Sequence, residues 1–316
     1  MNRPRFSGVY PILYAFWTRD GKLDHAAMRI QVEHCIAEGA HGVAVLGLVT
    51  EVNRMTTEER REAVACVGEA IAGRTPYAVT IGEPDAERQI EFTGFAKDHG
   101  ASWVILQPPP GAGHSEIELQ RHFGRIADSI DLPAAIQNNP INLASSLSPE
   151  GLAAVVKAHR NISLLKAEGW SVDIAQVIKA LDGNVDAFGG HGGAEFISLM
   201  RSGGAGLIPA PDCLALQVAM FEALTSGDRA RIAAAERAHK EILPLVTFMT
   251  RSIPGLLCYG KRVMAKRLGL TEIYDRQPAL APTAFGLTEM ERLFTDVVST
   301  EARELAAIRG AATHLA

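Results

Sequence analysis

Residues 162–170 read Ile-Ser-Leu-Leu-Lys-Ala-Glu-Gly-Trp, and the fold turns on the lysine at 166. Ile162 to Leu165 is a short apolar run with the length and character of a buried strand. A lysine in a core is costly unless it is paired, neutral or placed at the open end of the strand. A solvated strand end would explain it without chemistry. The alternative is an amine held at the mouth of a barrel, and the rest of the chain decides between the two.

Seven further runs resemble this one: "GVYPIL" (8–13), "GVAVLG" (42–47), "YAVTIG" (77–82), "WVILQ" (103–107), "PAAIQN" (133–138), "VDAFGG" (185–190) and "GAGLIPA" (204–210). With "ISLLK" (162–166) they make eight. Each is nearly continuous in apolar residues rather than alternating, as expected of parallel strands covered on both faces. Amphipathic segments separate them. Asp24 is placed to cap a helix whose apolar positions include Ala27, Ile30 and Ile36. Thr56 with Glu59, and Ser115 with Glu118, fit capping boxes. Ser148 precedes Pro149 at a first helical position, and Ser171 can cap the helix after Lys166. Eight such units in about 225 residues predict an α/β fold of the (β/α)₈ TIM-barrel type. The first loops carry no Gly-x-Gly-x-x-Gly turn, which argues against a doubly wound nucleotide fold. From 226 the strands stop, and three helical segments form a C-terminal extension. The expected division is therefore 1–225 for the barrel and 226–316 for the helical extension, with frayed final residues.

Bulk properties exclude several function classes. The chain has 316 residues, 47% hydrophobic and 21% charged, with a net charge of −5. Its basic residues are dispersed, so no nucleic-acid partner is expected. No run approaches the 18 apolar residues of a membrane span, and the opening "MNRPRFSGVY" lacks a secretion-type apolar segment. A cytoplasmic protein is expected. Cys35, Cys66, Cys213 and Cys258 lie far apart without metal spacing and read as reduced core thiols. No metal and no cofactor is expected.

In a barrel of this kind the reactive groups lie at the C-terminal ends of the strands. Those ends carry "GLVTE" (47–51), "IGEP", "QPPPGAGH", "IQNNP" (136–140), Lys166, "GGHGG" (189–193) and "IPAPD", which begins with Ile208. Lys166 therefore points to the mouth, among polar groups from other strands. An amine that attacks a carbonyl must be unprotonated, and apolar walls favour the neutral form by desolvation. An iminium formed with a 2-keto acid is an electron sink that acidifies the adjacent carbon or lets a bond one carbon further on break.

A Gly-x-x-x-Glu loop after strand 2, an Asn-x-Pro element after strand 5 and a lysine ending strand 6 resemble the dihydrodipicolinate synthase/N-acetylneuraminate lyase family. The resemblance spans essentially the whole chain, including the helical tail. It implies a class I aldolase-type lyase on a (β/α)₈ barrel, a pyruvate-like 2-keto acid as substrate, and a homotetramer built as a dimer of dimers. The departures are specific. The loop typical of the family, Gly-Thr-Thr-Gly-Glu, is here Gly47-Leu48-Val49-Thr50-Glu51. The proton-relaying tyrosine aligns with Gln137, in Gln137-Asn138-Asn139-Pro140. The tyrosine that crosses the dimer falls in Pro108-Pro109-Pro110, and the arginine for a second carboxylate falls near Asn142. An amide cannot exchange a proton as a phenol can, so an authentic dihydrodipicolinate synthase is disfavoured. The 2-keto-3-deoxy sugar-acid dehydratases, some of which carry glutamine there, are the nearest subgroup.

The expected catalytic residues are Lys166, Gln137 as an orienting amide, and His191 as a proton shuttle in place of the tyrosine. Val49, Thr50, Glu168 and Ile208 are expected to meet substrate, with the Val49 and Thr50 amides facing its carboxylate. Glu51 is expected to hold the loop, and Asn138 and Asn139 to form the turn before Pro140. Two function classes stand: a Schiff-base lyase, either dehydratase or aldolase, on a 2-keto-3-deoxy acid; or a keto-acid-binding or scaffold member that has lost turnover.

Overall fold

The computed structural model of the chain describes residues 5–310. Eight parallel strands curl into a barrel: β1 (Gly8–Val9), β2 (Val43–Val45), β3 (Tyr77–Ile81), β4 (Trp103–Leu106), β5 (Ala134–Asn138), β6 (Ile162–Ala167), β7 (Asp186–Gly189) and β8 (Gly206–Leu207). β1 pairs with β8, and the seam between β1 and β2 is closed by the parallel bridge Ile12–Ala44. The end strands are shorter than the apolar runs 8–13 and 204–210 suggest. Pro11 and Pro209 have no amide hydrogen to give to a ladder, and regular pairing stops before each. The chain stays in the barrel wall because Ile12 N–H donates to the Pro209 carbonyl at 2.7 Å and Ala44 N–H to that of Pro11 at 2.9 Å.

The barrel is filled rather than hollow. Tyr10, Trp103 and Phe188 come from strands that are not neighbours, yet their ring centroids lie 5.4–5.6 Å apart. Only the interior brings β1, β4 and β7 together, so this trio occupies it. Such contacts add edge-to-face and offset-stacking attraction to the buried area.

Helices cover the outer face: α1 (His25–Ala37), α2 (Thr57–Ile71), α3 (Ala86–Asp98), α4 (Glu116–Ala127), α5 (Pro149–Ala158), α6 (Ser171–Ala180), α7 (Phe196–Arg201) and α8 (Leu214–Ser226). Local sequence fixes most starts. Asp24 accepts from Ala27 N–H, both capping boxes form at Thr56/Glu59 and Ser115/Glu118, and Ser148 caps α5 with Pro149 behind it. Two details differ from the sequence reading. The buried face of α1 is Ala27, Met28, Gln31, Val32 and Cys35, while Ile30 is exposed. Ser171 is the first residue of α6, not its cap; Trp170 holds the cap position without a side-chain bond. The Ser171 N–H is taken instead by the Glu195 carboxylate at 2.7 Å, a negative group at the positive end of a helix. All four cysteines are buried and unpaired.

Beyond Ser226 the chain is helical: α9 (Arg229–Thr250), α10 (Ile253–Gly255), a π turn (Leu256–Gly260), α11 (Lys261–Arg267) and α12 (Ala284–Arg309). α9 and the segment Ile253–Arg267 meet at 107°. That bend carries Thr250 to Leu256 onto the barrel mouth. Among the described residues no single helix is long and apolar enough to cross a membrane.

Candidate active site

The register of the sheet assembles the site. β5 and β6 pair so that Gln137 lies opposite Lys166, and β6 and β7 pair Lys166 with Phe188. Paired residues face the same way, so Gln137 and Lys166 share the barrel interior with Phe188 of the aromatic trio. Lys166 is only 3% exposed. Its Nζ lies 3.5 Å from Oε2 of Glu168. The same oxygen accepts from Gln137 Nε2 at 2.5 Å and from Asn139 Nδ2 at 3.0 Å. Gln137 is fixed in turn by Gln107, whose Nε2 donates to its Oε1 at 2.9 Å. A buried carboxylate needs such donors, because losing water without replacement costs far more than one hydrogen bond returns. Oε1 of Glu168 has no partner among the described residues, and Glu168 lines the mouth cavity.

That cavity has a volume of about 310 Å³ and reaches Lys166, Glu168, His191, Val49 and Ile208. Gln137 and Thr50 lie behind its wall, 1% and 0% exposed. Thr50 differs from expectation in its bonds. Its hydroxyl donates to the Leu13 carbonyl at 2.6 Å and its N–H to the Gly47 carbonyl at 3.0 Å. Both of its protons are thus committed to the loop, which leaves Val49 as the cavity-facing residue of the expected pair. His191 lines the cavity with Nε2 3.5 Å from Asn142 Nδ2. Asn139 opens the expected turn, its Oδ1 accepting from Asn142 N–H at 3.0 Å, and also serves Glu168; Asn138 ends β5 and instead clasps Leu147, nine residues on. Trp170 is exposed and outside the cavity.

Backbone strain concentrates at this mouth. Of the five described non-glycine residues with positive φ, Leu46 (65°), Glu51 (61°) and His191 (50°) belong to its loops; such residues persist where the surroundings over-determine them. Two glycines make room. A Cβ on Gly47 would meet Ile12 at 2.0 Å, and one on Gly190 would meet Glu168 Cγ at 2.6 Å. Glu51 anchors the loop from behind: Lys261 Nζ donates to Oε1 at 2.6 Å, Trp17 Nε1 at 3.0 Å, and Arg54 reaches Oε2 at 3.3 Å. Other buried carboxyls stay outside the cavity. Burial raises the Glu83 carboxyl above its usual range, against the pull of Arg60. Burial also pushes the Asp212 carboxyl up to about 7, against a hydrogen bond from Tyr14.

The arrangement is a buried amine beside a buried carboxylate, at the floor of a pocket on the C-terminal face of a filled (β/α)₈ barrel. The sequence model of the dihydrodipicolinate synthetase family matches residues 5–295. The chain belongs to that family. Its members are lyases of the class I aldolase type. The 4-hydroxy-tetrahydrodipicolinate synthase of Methanococcus maripaludis is 28% identical over 253 residues, 78% of this chain and 85% of its own. That of Methanosphaerula palustris is 30% identical over 229 residues, 71% and 78%. Among solved structures, the enzyme of that name from Methylacidiphilum fumariolicum superposes with a TM-score of 0.86 at 21% identity, covering 96% of this chain and 99% of its own. A prophage protein of the family from E. coli K12, solved in complex with pyruvate, gives 0.81 at 22% identity, covering 94% and 99%. At these identities the structures bear on fold alone.

Sequence reasoning undervalued Glu168 and missed Gln107, Ile141, Arg251 and Ile253. Glu168 stands two residues past the lysine, where the alternation of an extended chain already puts both on one face. The others lie on distant segments with no local signal.

Proposed function

We propose that the protein is a Schiff-base lyase acting through Lys166 on a 2-keto-3-deoxy acid. The reading is carried by one observation: the Lys166 amine sits 3.5 Å from a carboxylate that two side chains, Gln137 and Asn139, hold in place. The amine attacks the C2 carbonyl, water leaves, and an iminium forms. Glu168 then takes a proton from C3, giving the enamine, and departure of the C4 hydroxyl as water yields the dehydrated product. Alternatively the C4 hydroxyl loses its proton, the C3–C4 bond breaks toward the iminium, and an aldehyde leaves behind the enamine of pyruvate. In the second branch a proton returns to C3 of the enamine to regenerate the iminium, and in both branches water then hydrolyses the iminium, releasing the product and restoring the lysine. Gln137 keeps Glu168 pointed at the amine. His191, on the cavity wall, supplies or removes the proton at the C4 oxygen. The Val49 amide meets the substrate carboxylate, and Ile208 packs on the carbon chain; Thr50 supports the loop. A homotetrameric, cytoplasmic enzyme belongs to the same proposal.

Borohydride reduction in the presence of pyruvate tests the reading, with the mass increment mapped to Lys166 and absent in Lys166→Ala. No adduct with any keto acid refutes Schiff-base chemistry and leaves a scaffold. An adduct without turnover identifies a keto-acid-binding member. Release of water marks the dehydratase, and release of pyruvate with an aldehyde marks the aldolase.

A further inference from the structure

From the walls of the mouth cavity we infer that the 2-keto acid carries an apolar group, alkyl or aryl, beyond its keto end, not a hydroxylated sugar chain. The inference rests on the Schiff-base reading of Lys166 and narrows its substrate class. A volume of about 310 Å³ equals roughly ten water volumes, whereas pyruvate has six non-hydrogen atoms, so a substantial tail fits above the amine. Leu48, Ile141, Ile208, Ile253 and Leu256 surround that space. A polyhydroxylated chain needs donors and acceptors there, and a hydroxyl that finds none loses its water without return.

Several polar side chains of the upper wall already hold protein partners. Thr250 Oγ1 donates to the Val246 carbonyl at 2.7 Å. Ser252 Oγ accepts from Gly255 N–H at 3.1 Å as the cap of α10. Asn142 Nδ2 faces Asn139 Oδ1 at 3.3 Å and His191 Nε2 at 3.5 Å. Arg251, exposed at the rim, makes no ion pair among the described residues and offers attraction for an incoming anion. The upper cavity therefore selects by apolar contact, and the extension helices supply much of it.

The test needs no turnover. Full-length protein is reduced with borohydride across concentrations of pyruvate, 2-oxobutanoate, 2-oxopentanoate, 2-oxohexanoate and 2-keto-3-deoxygluconate, and the half-saturating concentration for labelling Lys166 is read for each. It is expected to fall about fourfold for each methylene buried, and 2-oxohexanoate to label at a concentration at least tenfold below that of 2-keto-3-deoxygluconate. Ile253→Asn should flatten the series. Labelling by pyruvate with no gain along the alkyl series, or with the sugar acid ahead, overturns the inference while leaving the Schiff base intact. No labelling by any of the five overturns the Schiff base itself.

Discussion

Lys261→Met asks whether the loop that forms one side of the mouth is held from behind by the C-terminal extension. Lys261 Nζ lies 2.6 Å from Glu51, and both side chains are 1% exposed. Glu51 sits in a left-handed conformation at the end of Gly47–Glu51, so its carboxylate is what fixes a strained turn. Removing one member of a buried pair costs about 3–5 kcal/mol, because the other charge is left unpaired. Here Glu51 keeps Trp17 at 3.0 Å and Arg54 at 3.3 Å, which places the loss near the lower limit, about 3 kcal/mol. At roughly 2 °C per kcal/mol for a chain of this size, the thermal midpoint should fall by about 6 °C. The loop should also slacken, raising several-fold the keto-acid concentration that half-saturates labelling of Lys166. The double variant Glu51→Gln with Lys261→Met removes both charges and should recover most of the stability, to within about 1 kcal/mol of the parent. Denaturant unfolding of the parent, both single variants and the double variant forms a complete cycle. A Lys261→Met loss below about 1 kcal/mol, or a double variant whose loss equals the sum of the singles, refutes the anchoring argument.

Glu168→Gln should retain borohydride labelling of Lys166 but lose about 10²- to 10⁴-fold in kcat, the usual worth of a positioned proton-transfer group; unchanged kcat would move that role elsewhere. The Asp212 carboxyl, pushed by burial up to about 7 from 3.8, holds a proton in the folded chain that the unfolded chain has already lost. Stability should therefore decline as pH rises from about 4 to 7 and level off above. The gap of about three pH units, at about 1.4 kcal/mol each, sets a ceiling of roughly 4 kcal/mol. Asp212→Asn removes this dependence, so its unfolding free energy should gain on the parent's between pH 4.5 and 8, and parallel profiles would exclude the effect.

The sequence by itself determined the barrel and the position of its lysine. Eight apolar runs spaced by capped amphipathic segments admit few other solutions, because strands covered on both faces must be apolar throughout. A charged residue ending such a run must then lie at a mouth. Caps were legible wherever the partner is three residues away, as at Thr56 and Ser115. The cap of α6 was not, because its acceptor is Glu195, 24 residues on. The same distinction governs the site. That Glu168 accepts from Gln137 and Asn139 follows from the pairing register of β5 with β6, which no local pattern encodes: sliding one strand by a residue would turn its side chains to the other face. That Thr50 spends its hydroxyl on Leu13, 37 residues earlier, follows from closure of the barrel between its first two strands. The upper wall of the cavity comes from Thr250 to Leu256, placed there by a 107° bend between helices. Capping-box hydrogen bonds and apolar periodicity act over a few residues and can be read along the chain; strand register, barrel closure and interhelical angle are set by packing across it, and only the folded molecule shows them.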